Sequence, residues 1–307
     1  MELGGPLREN GAALSICRPS QFAVSISAKC IAAARARPYI CHMRFFIPFL
    51  KRPPSVAVIR LQGVISAGGR GGLNDATLGP VIERAFAKGK PRAVALVINS
   101  PGGSPVQSSL IAARIRRLGD EKKIPVHVFV EDLAASGGYW LACAGDDIWL
   151  DPASLVGSIG VISAGFGFAE LMARQGVERR VHTAGASKSF LDPFRTERPE
   201  DVERLKAILT PVHEIFKAHV AARRGSRLAT DRDLFTGDVW VGADAVALGL
   251  ADGIGHLVPR MKELYGDKVR LMRYGIKRSL LQRFGGQMVA GTLQQIEERA
   301  LWAQYGF

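Results

Sequence analysis

Short apolar runs alternate along this chain with stretches in which apolar residues recur every three or four positions. The continuous apolar runs at 56–61, 93–98 and 126–130 predict buried strands, because strands of a parallel sheet are covered on both faces. Between these runs, the periodic stretches 78–87 and 106–118 predict helices with one apolar face. Strands that alternate with helices in this way predict an α/β fold with a mainly parallel sheet.

The pattern continues with shorter elements after residue 140. It predicts a helix directly after the strand at 126–130, further strands at 148–150, 158–162 and 179–183, and helices at 168–175 and from Pro199 onward. Acidic residues in the first turn of the last helix favour its N-terminal end. From residue 260 the chain is predicted to be basic and helical.

Composition divides the chain into three predicted parts. Two consecutive prolines follow a basic segment, 1–52, and resist regular structure. That segment is predicted to be disordered, and Met43, just before the first strand, is a candidate natural start. Residues 53–258 form the predicted α/β domain. Residues 259–307 form a basic helical extension and are a candidate contact with another subunit or with a membrane.

The net charge of +13 comes mostly from the two ends of the chain. Residues 1–55 hold eight Lys and Arg against two acids, residues 260–307 hold nine against four, and the middle holds 24 against 22. Basic ends suit an acidic membrane surface or a nucleic acid, and solvated tails explain the same charge equally well. The glycine- and arginine-containing loop 68–72 occurs once and without aromatic residues, so no nucleic-acid partner is predicted.

Neither a membrane span nor a metal site is expected from the sequence. No stretch reaches the ~18–20 apolar residues of a spanning helix, and the start lacks the basic region of a secretory signal. We expect the chain in the cytoplasm or at a membrane surface, with the apolar patch 45–50 as a candidate lipid contact. The four cysteines form no C-x-x-C pair, so neither a disulfide framework nor a zinc site is expected. No cofactor is predicted.

A serine follows the third apolar strand in a turn of small residues. Ser136 precedes Gly137 where that strand is predicted to end and a helix to begin. The strand before it ends near Asn99 and is followed by Gly102 and Gly103, in a turn rich in backbone amides. Ligands bind at such strand ends in open α/β folds. A serine beside an amide-rich turn is an arrangement suited to acyl transfer, in which amides stabilise an oxyanion.

A serine hydroxyl needs a base, and Lys188 is the first candidate. An ordinary lysine has a pKa of about 10.4, so only roughly one in 2,500 is neutral at pH 7. Burial among apolar residues such as Phe190 and Leu191 lowers a lysine pKa by up to ~3–5 units. The same segment is also typical of a surface turn. The six histidines remain alternatives, although none lies in a recognisable motif.

Four segments, in this order, resemble the signal peptide peptidase A family, whose members are serine–lysine endopeptidases. The segments are 99–103, 134–139, 157–161 and 188–195. The resemblance covers about residues 55–258. It implies a Clp protease/crotonase-like fold of repeated β-β-α units with a mainly parallel sheet and C-terminal helices.

The resemblance also implies a role for each matching residue. Ser136 would be the nucleophile and Lys188 the general base. Ser158 would hydrogen-bond the lysine and orient it. The oxyanion donor would be the backbone amide of Gly102 or Gly103, and Gly137 is a further backbone candidate.

The predicted function is therefore that of a serine endopeptidase that acts through an acyl-enzyme. By the resemblance, its substrates are extended peptides with small or apolar residues, such as signal-peptide remnants. Family members form dome-shaped oligomers in which the dyad is built across neighbouring protomers or halves, so a homo-oligomer is expected. The family's usual N-terminal membrane anchor is not found in this sequence, which favours a cytoplasmic or peripheral membrane location. The alternatives are a crotonase-like acyl-CoA enzyme and a catalytically silent membrane-associated scaffold.

Overall fold

The apolar run at 93–98 lies in the central strand of the sheet. Strand β2 (Ala93–Ser100) is buried at every position. Strands β1 (Ser55–Gln62) and β3 (Val126–Ala135) pair with it on either side, both in parallel. A strand with parallel neighbours on both edges and packed layers on both faces must be apolar throughout, which is the pattern seen in the sequence.

The computed structural model describes residues 53–68, 72–185, 188–275 and 299–306. Within them the sheet has eight strands, in the order β6-β5-β3-β2-β1-β8, with β4 beside β3 and β7 beside β4. The remaining strands are β4 (Asp147–Leu150), β5 (Leu155–Gly157), β6 (Val239–Val241), β7 (Gly253–Ile254) and β8 (Arg270–Tyr274). All pairs are parallel except β5 with β6. The predicted α/β class with a mainly parallel sheet is confirmed.

Helices cover both faces of this sheet and enclose two apolar clusters. The helices are α1 (Asp75–Ala87), α2 (Pro105–Lys122), α3 (Gly137–Ala142), α4 (Ala169–Arg174), α5 (Pro199–Arg224), α6 (Gly242–Ala247) and α7 (Leu257–Tyr265). The larger cluster joins side chains of α1, α2 and α3 to one face of the sheet. On the other face, Met261 of α7 packs with Val58 and Phe129. None of the described helices has the length and apolarity that a membrane span needs.

Strand β3 changes partner along its length. Its residues His127–Val130 pair with β4, whereas Leu133–Ala135 pair with β5. Its other edge pairs with β2 throughout, with an irregularity between Ile98 and Ser100. The carboxyl ends of β2, β3 and β5 are therefore brought to one edge of the sheet, where the three turns that follow them meet.

Two strand predictions are wrong. Residues 158–162 form no strand: the nearest strand, β5, ends at Gly157, because the positive φ of Ser158, 49°, ends an extended strand. Residues 179–183 form no strand. They are largely exposed and no described strand pairs with them, so their β-branched and basic pattern does not produce a strand.

Part of the C-terminal prediction also changes. The segment predicted to be helical from residue 260 contains α7 but also strand β8, which pairs with β1. The basic segment 1–52, including Met43 and the patch 45–50, lies outside the described residues, as do residues 276–298 of the predicted helical extension. The division at 258 and 259 stays a prediction.

Candidate active site

Ser136 occupies a strained turn between β3 and α3. Its φ of 51° and ψ of −122° are unfavourable for a residue that carries a Cβ, at a typical cost of about 1–3 kcal/mol. The turn is fixed from both sides: Ser136 N donates to Gly157 O at 2.8 Å, and Ser136 O accepts from Trp140 N at 3.0 Å. A sharp strand-to-helix turn of this kind presents a serine hydroxyl at the top of a sheet, as the nucleophile turn of α/β-hydrolases does.

The glycine turn after β2 packs directly against the Ser136 turn. A Cβ on Gly102 would stand 2.7 Å from Gly137 N and 2.8 Å from Ser136 Cβ, so only glycine fits there. Gly103 is as constrained, since its Cβ would lie 2.0 Å from Ile65 O. Both glycines have positive φ, 100° and 134°. Close approach of the two turns is therefore the physical reason for both glycines.

The amides of these two glycines differ in availability. Gly102 is buried, and its N–H donates to Ser100 Oγ at 3.2 Å. Gly103 is exposed to the cleft, and no acceptor for its N–H is found among the described residues. Of the two, only the Gly103 amide is free to bind a developing oxyanion.

Ser158 lies beside Ser136 at the end of β5. Its backbone N–H donates to Asp238 O at 2.6 Å, and its Oγ accepts from Tyr305 Oη at 3.0 Å. The preceding Gly157 has a φ of 115°, and a Cβ there would meet the Trp240 ring at 2.7 Å. Ser158 is thus held in position by both its backbone and its side chain.

A cleft of about 770 Å³ joins Ser136, Gly103, Gly137 and Ser158. Its apolar walls are formed by Trp140, Val161, Ile162, Val212, Phe216 and Leu301. None of its lining residues is Asp, Glu, Lys, Arg or His; the lining is completed by Pro101, Ser104, Pro105, Gly160, Thr236, Gly237, Gln304 and Tyr305. The serine therefore faces a cleft that contains no base among the described residues.

An aromatic stack fixes the floor of the cleft. The ring of Trp140 stacks on Phe216 and on His219, with centroids 4.9 Å apart in both pairs. His219 Nε2 also donates to Trp140 O at 3.2 Å. Burial lowers the pKa of His219, and the hydrogen bond to Trp140 opposes that shift. His219 acts here as a neutral packing residue.

The other described histidines lie elsewhere: His182 is exposed in the segment before Lys188, and the remaining three have hydrogen-bond partners. His127 bridges Asp147 and Tyr265, and His256 contacts Asp151. His213 Nε2 donates to Ile159 O at 3.1 Å. None of them lines the cleft, so the histidine alternatives gain no support. Among the described residues, no cluster of His, Cys, Asp and Glu could hold a metal ion.

Lys188 lies between β5 and α5 in a segment that we call the arm; its described residues, 161–185 and 188–198, form no strand of the sheet. The side chain is exposed and is not among those that line the cleft. Its backbone N–H donates to Gly185 O at 3.2 Å. Asp192, which could have held a charged lysine, instead pairs with Arg179 at 2.8 Å, and the Arg179 guanidinium lowers the pKa of that carboxyl. The structure thus brings five of the six predicted site residues together and leaves Lys188 apart.

Sequence reasoning missed two groups of cleft residues. Trp140 and Phe216 belong to predicted helices, and only the tertiary fold shows that they meet below Ser136. Tyr305 is far from the other motifs in the sequence and lies beyond the stretch that carries the resemblance. An aromatic residue with a hydroxyl in a basic terminal segment gives no recognisable signal, so Tyr305 could not have been found from the pattern.

Comparison with known proteins adds a family match. Residues 119–267 match the family model described as Peptidase family S49. This range contains Ser136, Ser158 and Lys188, and it begins after the glycine turn at Gly102 and Gly103.

Three relatives are similar to the chain over part of their own length. The chain is 47% identical over 270 residues to a Na(+)/H(+) antiporter NhaA of Brucella melitensis, which covers 82% of the chain and 37% of that protein. It is 33% identical over 198 residues to a probable protease SohB of Haemophilus influenzae, which covers 63% of the chain and 54% of that protein. It is 30% identical over 180 residues to a putative signal peptide peptidase SppA of Enterococcus faecium, which covers 58% of the chain and 51% of that protein. The chain therefore spans about half of the protease relatives and about a third of the antiporter.

Proposed function

The chain belongs to the SppA and SohB type of the S49 peptidases, and from this premise we propose that it is a serine endopeptidase with a Ser136–Lys188 dyad. The observation that carries the proposal is the position of Ser136. It lies on a strained turn, beside a free amide, in a cleft whose described lining residues include no charged side chain. Peptide hydrolysis then proceeds through an acyl-enzyme on Ser136.

We assign the binding of the oxyanion in this reaction to the backbone amide of Gly103. The Gly102 amide already donates to Ser100 Oγ, whereas that of Gly103 opens to the cleft beside Ser136. The amide of Gly137, the first residue of α3, lies next to the same turn. Each oxyanion donor contributes about 2.7–4 kcal/mol to the transition state of a serine hydrolase.

Lys188 supplies the base when the arm brings its amine into the cleft. An apolar cleft disfavours the charged form of a lysine and favours the neutral amine that a general base needs. The hydroxyl of Ser158, half-buried beside Ser136, then orients the amine. As the cleft of one chain holds no other base among the described residues, the amine must arrive by movement of the arm or from a second copy.

We favour a second copy, because the arm exposes apolar side chains that a lone chain does not cover. Ile162 is 79% exposed and Phe166 is 82% exposed, and Leu171 and Val177 are each more than half exposed. Helix α4 of the arm has no buried residue. Contiguous apolar surface of this kind is typical of a protein–protein interface. The proposed enzyme is accordingly a homo-oligomer.

The substrate class follows from the walls of the cleft. Trp140, Val212, Phe216 and Ile162 offer apolar surface, and the described lining offers no charge to pair with a charged side chain. Such a cleft favours extended peptides with small or apolar residues at the cleaved bond, because burying an unpaired charge there would be costly. Remnants of signal peptides have this composition.

A basic hollow on the opposite end of the strands supports peripheral contact with a membrane. Lys90, Arg92, Lys122 and Lys123 line a hollow of about 680 Å³ before β2 and β3. Among the described residues none of these four cations forms an ion pair. Unpaired cations on one face attract anionic headgroups. The cytoplasmic or membrane-surface location is proposed on this ground.

The test of the proposed dyad uses purified chains and a fluorophosphonate probe that reacts with activated serines. Wild type should be labelled on Ser136 and should cleave an apolar peptide library. Ser136→Ala and Lys188→Ala should each lower cleavage at least about 10³-fold. Lys206→Ala, an exposed lysine on α5, is the matched control and should keep full activity.

Mixing the two inactive variants distinguishes the source of the lysine. If Lys188 of one copy serves Ser136 of another, a mixture of Ser136→Ala and Lys188→Ala regains part of the activity. If the arm of the same chain supplies it, the mixture stays inactive. Full cleavage by either variant alone would refute the dyad.

A further inference from the structure

Residues 299–303 form a short helical turn that lies over the Ser136 cleft. Leu301, Gln304 and Tyr305 line that cleft together with Ser136 and Ser158. We propose that this segment is an internal plug that holds the peptidase inactive until it leaves. The proposal rests on the proposed function, because it concerns the same cleft.

The segment has one face toward the cleft and one toward solvent. Leu301, Trp302 and Tyr305 are half-buried and Ala303 is exposed; Gln304 lies at the rim, since it is exposed and also lines the cleft. The turn is closed by backbone hydrogen bonds from Gln304 N to Ala300 O and from Tyr305 N to Trp302 O. Amphipathic spacing of this kind is typical of a helix that docks in an apolar groove.

The contact of Tyr305 bears directly on the dyad. Tyr305 Oη donates to Ser158 Oγ at 3.0 Å, and Ser158 is the hydroxyl that the proposed mechanism assigns to Lys188. An incoming lysine amine would have to compete with the Tyr305 hydroxyl for Ser158 Oγ. With the plug in place Lys188 remains exposed, as the structure has it.

The plug also competes with the substrate. Leu301 lies among the apolar wall residues that an extended peptide would contact, including Val212 and Phe216. A ligand that binds only the open cleft has an apparent affinity equal to its intrinsic affinity multiplied by the fraction of chains whose cleft is open. Displacement of residues 299–305 therefore exposes both the substrate site and the Ser158 hydroxyl that would orient the Lys188 amine.

The decisive variant is the double substitution Leu301→Ser/Tyr305→Ser in the full chain, which removes the apolar face without truncation. We expect fluorophosphonate labelling of Ser136 to become about tenfold faster than in wild type, with a lower KM for peptides. Tyr305→Phe, which keeps the ring and loses the hydroxyl, should give a smaller gain of about threefold. Ala303→Ser changes the exposed face of the same turn and is the matched control, with unchanged rates. Equal or slower labelling in the double variant would overturn the proposal.

A second measurement does not depend on catalysis. A fluorescent synthetic peptide of residues 297–306 should bind the double variant about tenfold more tightly than wild type, whose own segment occupies the cleft. Equal affinity for both would refute the plug. If no chain is labelled or cleaves peptides, the proposed function fails, and this binding comparison still decides whether the segment docks in the cleft.

Discussion

Ser136 and Ser158 are the residues that follow two strands ending side by side. Ala135 of β3 pairs with Gly157 of β5, and the amide of Ser136 donates to Gly157 O. Both serines have a positive φ, near 50°. The spacing of the two hydroxyls is therefore set by strand register and backbone strain, so neither serine can shift without disturbing the sheet.

We predict that Ser158→Ala lowers kcat about tenfold or more and leaves KM nearly unchanged, because the hydroxyl orients the amine and does not bind the peptide. The backbone hydrogen bond from Ser158 N to Asp238 O remains, so the free energy of unfolding should stay close to that of wild type. Steady-state kinetics and urea titration check both parts. A rise in KM at constant kcat would contradict the positioning role.

Gly103→Ala should abolish the oxyanion site. The new methyl group would stand 2.0 Å from Ile65 O at a φ of 134°, so the turn must move, and kcat should fall by about 10²–10³. Gly89→Ala is a matched control, since Gly89 also has a positive φ, 82°, but no neighbour within 4 Å. The control should lose some stability and keep its kcat. Retained activity in Gly103→Ala would exclude this amide.

The stability of the chain should fall as the pH drops below about 6.5, the ordinary pKa of histidine. Burial lowers the pKa of His219 in the folded state, so the unfolded state binds a proton first and gains stability from it. The loss continues until the pH reaches the folded pKa of His219. Urea titrations between pH 5 and 7.5 measure this slope. His219→Phe, which keeps a ring against Trp140, should flatten it, and an unchanged slope would contradict this assignment.

Arg224→Met should destabilise the fold by about 3 kcal/mol or more, the usual cost of breaking a buried ion pair. The side chain of Arg224 is only 2% exposed and contacts Asp252 at 2.7 Å. Asp252 also accepts a hydrogen bond from Ile148 N. Thermal unfolding measures the change. Arg117→Met, which removes an exposed pair with Glu121, is the control, with an expected change under about 1 kcal/mol.

Reversing the charge of the basic hollow should weaken its contact with lipid. Lys122→Glu/Lys123→Glu should lower binding to phosphatidylserine vesicles about tenfold or more, since each cation near the surface contributes about 1 kcal/mol. Lys206→Glu/Lys262→Glu makes the same charge change elsewhere and should have a smaller effect. Vesicle co-sedimentation at two salt concentrations checks this. Equal losses in both variants would contradict a specific lipid face.

The strands and turns that hold the cleft could be predicted because local sequence determines them. The apolar run of β2 and the small residues around Ser136 have no good alternative to a buried strand and a tight turn. The strand predicted at 179–183 failed because a strand needs a neighbour to pair with, and that neighbour is a tertiary property. The distance of Lys188 from the cleft and the contact of Tyr305 with Ser158 depend on long-range packing, which leaves no local signal.

The described residues that line the cleft carry no charge, and this has a consequence for when the proposed peptidase would be active. If a second copy supplies the lysine, as proposed, a dilute chain would carry a poised hydroxyl with no amine beside it and would be inert. Reactivity would appear only when copies accumulate, and specific activity would rise with protein concentration. The peptidase would in that way be switched on by crowding at its site of use.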